Sequence, residues 1–194
     1  MIKKRYTYDE SKITATLVDG YFIWVAFQGT LGTSVLYKVS AFDPSTKYYE
    51  ININADEITK IKADGDYIYL TLDDDDYIAV KLHKTNPLGS QIYYDIPSGI
   101  VEKAVDLVLN GYLYILIPGE LSGTNAKILR FSKVTAMFNE TIDLQKSGEI
   151  IRNAKTMCQD DSDNFWIATY EDPIKVVKVF GSPSSWDFTV HEIT

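Results

Sequence analysis

The residues most able to do chemistry are carboxylates crowded into short loops. Asp73 to Asp76 form an unbroken run, and Asp161-Ser162-Asp163-Asn164 looks like the start of a cation-binding loop. An EF-hand-type loop needs oxygen ligands at its first, third and fifth positions and glycine at the sixth. Counted from Asp161, the fifth position is Phe165, which offers no oxygen. The segment therefore reads as a tight turn. Other constellations are sparse. The two histidines, His83 and His191, have no neighbouring second ligand and read as surface or edge residues. Cys158 stands alone, so it can form no internal disulfide and lacks the paired spacing of a zinc site; it reads as a small buried apolar residue. "PGELSGTNAK" lacks the ending of a phosphate loop, and no G-x-S-x-G elbow occurs. Asn139-Glu140-Thr141 fits a glycosylation sequon, which matters only in a secreted protein. No catalytic residue, metal ligand or cofactor is assigned.

Bulk composition narrows the partners. The chain has 194 residues, 45% of them apolar, and a formal charge of −8. Nucleic acid and anionic membranes recruit Lys and Arg, so both are disfavoured. The opening "MIKKRYTYDE" has no apolar stretch behind it, and "VDLVLNGYLYILIP" is too short to span a bilayer. A soluble protein is expected, cytoplasmic or virion-associated, with no signal peptide and no membrane insertion.

The elements that carry these loops repeat. Turns at Asp19-Gly20, Asp64-Gly65, Asn110-Gly111 and Asp161–Asn164 each lead into an aromatic-rich strand; aligned on Phe22, Tyr67, Tyr112 and Phe165, these recur at spacings of 45, 45 and 53 residues. A third strand with a central base follows (Lys38, Lys81, Arg130, Lys178), then a fourth with a matching acid (Glu50, Asp95, Asp143, Glu192). Four short strands repeated in tandem at this period predict an all-β chain, a β-propeller with four blades of four antiparallel strands. Residues 1–194 form one domain, with an outer strand over 1–12 and blades over about 13–54, 55–99, 100–148 and 149–194. "RYTYDES" matches a fourth strand without its three predecessors, so a larger or inter-chain propeller is the alternative. Opposite charges across a hairpin contribute roughly 0.2–1 kcal/mol, and at least two of the base–acid pairs are expected within salt-bridge distance.

"DSDNFWIATY" also resembles the "DxxGxLWIAT" repeat of two-component-regulator and related sensor-type propellers, with Asn164 in place of that family's glycine. The resemblance covers about ten residues; it implies the fold and no active site.

Loops between second and third strands share a rim with the links between blades. They gather Asp56, Glu57, Asp73, Asp74, Asp75, Asp76, Glu120, Glu149, Glu171 and Asp172 against a lone Lys146. A basic protein partner is expected there ahead of a Ca²⁺ ion, because complementary charge steers association. Trp24, Tyr67, Tyr69, Tyr114 and Trp166 read as core filling. Trp186 is the indole expected to be partly exposed, free to stack on a sugar or a partner or to fold back on its hairpin. The function expected is a non-enzymatic protein-binding or assembly module, through a protein partner or self-association. A carbohydrate- or receptor-binding virion component is one alternative, and a small propeller hydrolase or lyase with an axial cation is another.

Overall fold

The computed structural model describes residues 12–29, 32–146 and 148–193. Apart from Lys12, the N-terminal strand expected over 1–12 lies outside the described residues. Every described element is a strand, and none is a helix. No helix among these residues is long and apolar enough to cross a membrane.

The chain divides into two compact units, Met1–Tyr93 and Tyr94–Thr194. In the first, β1 (Lys12–Asp19), β2 (Phe22–Gln28), β3 (Thr33–Ser40) and β4 (Lys47–Asn54) form one sheet in chain order. The strands β5 (Glu57–Asp64), β6 (Tyr67–Asp73), β7 (Tyr77–His83) and β8 (Ile92–Asp95) form the next. In the second unit, β9 (Asp106–Asn110), β10 (Tyr112–Ile117), β11 (Lys127–Ser132) and β12 (Phe138–Asp143) form a third. A small hairpin follows, β13 (Gln145–Lys146) with β14 (Glu149–Ile150). The last sheet holds β15 (Ala154–Gln159), β16 (Phe165–Thr169), β17 (Ile174–Phe180) and β18 (Asp187–Ile193). First and second strands pair antiparallel in every four-stranded sheet, as short hairpin turns require. There are thus four four-stranded sheets at the expected places, and a fifth, two-stranded one that the repeat did not foretell.

Local chemistry explains the repeat. The turns between first and second strands place Gly20 and Gly65 at φ +60° and +55°, a conformation that costs glycine nothing. In the last sheet Asp163 adopts φ +62° instead. The register of first against second strand slips at Ile13/Ala15, Ile58/Lys60 and Ala154/Thr156, a recurring bulge in three of the sheets.

Each unit has its own core. Trp24, Leu36 and Ile51 meet Ile58, Leu70 and Val80 in the first unit. In the second, Leu116, Ile128 and Ile142 meet Phe165, Ile167 and Val177. Each such aliphatic side chain contributes roughly 1.5–3 kcal/mol when fully buried. Polar ties lie alongside. The Lys84 ammonium is 2.9 Å from the Asp19 carboxylate, and buried Asp106 accepts from Met157 N–H at 2.9 Å and from the Thr156 hydroxyl at 2.7 Å.

Two expectations are corrected. Lys38 stands opposite Tyr49, one residue short of Glu50, so the side chains of Lys38 and Glu50 leave opposite faces of the sheet. Arg130 faces Glu140, and Asp143 pairs with Lys127 at 3.2 Å. Lys178 faces Thr189. Three of the four bases therefore miss their matched acids. They meet aromatic rings on the second strand instead, and so does Lys81. Lys38 lies 4.1 Å from the Phe22 ring centre, Lys81 4.0 Å from Tyr67, Arg130 4.6 Å from Tyr112 and Lys178 5.3 Å from Trp166. A cation on an aromatic face, worth about 0.5–2 kcal/mol, is what the repeated base supplies. Burial also lowers the Lys38 pKa from its ordinary value, with Asp19 opposing the shift and Lys84 adding to it. The second correction is Cys158, which is exposed. On β15 it alternates with buried Met157 and so points away from the core.

Candidate functional site

The turn at Asp161–Asn164 is built by the residue before it. One Asp160 carboxylate accepts from the backbone N–H of Ser162 and Asn164, from the Asn164 amide, and from the Trp166 indole N–H at 2.9 Å. The Asn164 and Trp166 hydrogen bonds hold this carboxyl well below the usual carboxylate range. Every oxygen is committed to the turn.

In the first unit the acidic loops converge. The backbone N–H of Asp56 donates to the Asp73 carbonyl at 2.9 Å, and Glu57 stands opposite Asp73 in the ladder. Lys12 lies 3.4 Å from Glu57. Asp74 is structural: its carboxylate accepts from the N–H of Asp76 and Tyr77 at 2.9 and 2.8 Å and so closes the turn. Asp75 and Asp76 are left exposed, with no ion-pair partner among the described residues.

In the second unit the acids are largely compensated. Glu120 pairs with Lys155. Lys175 bridges Glu171 at 3.4 Å and Glu149 at 3.6 Å, and Asp172 beside them is exposed. The lone Lys146 expected among these loops is thus joined by Lys12, Lys155 and Lys175, and Lys146 itself is 2.5 Å from Asp187. Trp186 lies at the far end of β17 from Glu171, about 20 Å along a seven-residue strand. Its half-buried indole packs 5.8 Å from the Phe165 ring, on the core.

Two features were not anticipated. Glu102 accepts from the N–H of Gly119, Glu120 and Leu121 at 2.7, 3.0 and 2.9 Å, and from the Thr124 hydroxyl. Burial would raise its pKa, but these hydrogen bonds prevail and lower it. The glycine-bearing loop at 118–126 is thereby fixed around one carboxylate.

The other is a hollow of about 510 Å³ where the loop between β7 and β8 meets the start of β6, lined by Tyr67, His83, Thr85, Asn86, Gln91 and Ile92 among others. The loop is tied shut. Ser90 hydroxyl donates to the Asn86 carbonyl at 2.7 Å and accepts from His83 N–H at 2.8 Å. Thr85 N–H donates to His83 Nδ1 at 3.3 Å, which places the neutral ring's proton on Nε2. Tyr49 hydroxyl donates to the Thr85 carbonyl at 2.7 Å. The ring of His83 meets that of Tyr67 edge-on at 5.1 Å. The sequence signal was slight: Asn86-Pro87 and Gly89-Ser90 spell a turn, and only folding sets them beside Tyr67.

Comparison with known proteins adds the fold alone. No family model matches the chain, and no curated protein matches it. Among solved structures it is similar to the crystal structure of the computationally designed Ika4 protein, at 9% identity and a TM-score of 0.60. The match covers 88% of this chain and 92% of that one.

Proposed function

We propose that the four four-stranded sheets are blades of a β-propeller and that the protein is a non-enzymatic binding or assembly module, taking a basic protein segment on the loop between β6 and β7. The tandem order of strands supports the propeller. So does the resemblance of residues 161–170 to two-component-regulator blades. One observation carries the binding site. Asp74 spends its carboxylate on the turn and leaves Asp75 and Asp76 exposed, with no ion-pair partner among the described residues, on a chain of net charge −8. A preformed loop with unpaired carboxylates attracts cationic segments and favours fast, salt-sensitive association.

Fluorescence anisotropy with a labelled oligolysine peptide tests this reading. Binding should weaken with added salt as screening sets in, and each of Asp75→Asn and Asp76→Asn should weaken it by up to about fivefold. Absence of binding at low salt, or binding indifferent to both substitutions, would refute the site.

A further inference from the structure

We infer that the hollow between Tyr67 and the β7–β8 loop is a binding site for a neutral saccharide of one or two rings. Size is the first argument. Its volume of about 510 Å³ lies in the range of roughly 300–1,000 Å³ typical of small-molecule sites. The hollow beside Glu102 and Leu121, at about 210 Å³, falls below that range.

The lining chemistry selects the ligand. Tyr67 and Ile92 supply apolar surface. The Asn86 side-chain amide, the Tyr67 hydroxyl and His83 Nε2 have no hydrogen-bond partner among the described residues. Gln91 Oε1 accepts from the Tyr93 hydroxyl at 2.9 Å, which leaves its NH₂ to donate. Both donors and acceptors therefore line one small space. Among the described residues no carboxylate or ammonium lines it: Lys84 is engaged by Asp19, and buried Lys81 lies over the Tyr67 ring. A cation would need oxygen ligands of negative charge, and an anion would need a facing cation. A ring of hydroxyls, each both donor and acceptor and backed by apolar C–H groups, satisfies the set.

The loop is also held before the ligand arrives. The ties from Ser90, Thr85 and Tyr49 fix residues 83–90, so little ordering cost falls on binding. This site is separate from the acidic loop and does not rest on it.

The test is amide NMR of the whole ¹⁵N-labelled chain titrated with glucose, galactose, mannose, N-acetylglucosamine, maltose, cellobiose and lactose at millimolar concentration. At least one sugar should shift the amides of Thr85 to Ile92 and Tyr67 selectively. Asn86→Ala and Gln91→Ala should each weaken that sugar by about five- to tenfold, the loss expected of one or two hydrogen bonds. Asp75→Asn should leave sugar binding unchanged, which keeps the two sites' failures distinguishable. The amide spectrum of each variant serves as its own check of folding. No selective shift from any sugar would overturn the inference. So would unchanged affinity in both variants, or stronger shifts of these amides by inorganic phosphate or a blocked dipeptide than by any sugar.

Discussion

The Arg130 guanidinium lies 3.0 Å from the Glu140 carboxylate, directly across the β11–β12 ladder, and 4.6 Å from the centre of the Tyr112 ring. Both side chains are largely shielded, 12% and 18% exposed. Removing one member of a shielded pair leaves the other charge desolvated and uncompensated. Arg130→Met should therefore cost about 2 kcal/mol, a value below the fully buried case because some exposure remains. Adding Glu140→Gln should restore part of that loss. Urea unfolding of both variants and the double variant measures it, and strict additivity would contradict the coupling.

Alkaline stability should report on Tyr69. Burial, then the charges of Asp64 and Tyr67, push its hydroxyl pKa from 10.0 up to about 12. A raised folded value means the fold favours the protonated phenol. The contribution is fully present below pH 10 and is lost as pH rises toward about 12. Across that window wild type should lose about 2 kcal/mol relative to Tyr69→Phe. Denaturant midpoints at several pH values supply the comparison; parallel curves would refute it.

Asp160 governs the acid side of the last sheet. Its folded pKa is lowered by hydrogen bonds from Asn164 and Trp166, so the stability it contributes is present above the ordinary carboxylate range and lost as pH falls below it. Asp160→Ala should lower the thermal midpoint more than Asp160→Asn, and both should flatten the acid limb. Trp166 fluorescence should change with the same substitutions, because its indole N–H donates to that carboxylate. An unchanged emission spectrum would count against the described turn.

Cys158 should be open to reagent in the native protein. It is exposed on β15, so iodoacetamide should alkylate the folded chain to completion without denaturant. Intact-mass measurement reads the outcome. A thiol that reacts only after unfolding would restore the buried reading.

The order of strands in the four larger sheets and the turns that open them were legible in the linear chain, whereas the small β13–β14 hairpin was not. They rest on local physics: glycine at positive φ, the two-residue alternation of a half-buried strand, and aromatics placed at fixed offsets after each turn. What the repeated bases do was not legible. A shift of one residue decides whether Lys38 meets Glu50 or the rings of Phe22 and Tyr49, and bulges set that register through hydrogen bonds between strands. Cys158 was misjudged for the same reason, since a residue's face on a strand depends on register and on which face meets the neighbouring sheet. Of the hollow at His83 only the turn at Asn86-Pro87 and Gly89-Ser90 was legible. Its walls come from β6 and from a loop some twenty residues later, and only the tertiary structure brings a tyrosine, an imidazole and two amides into one small volume.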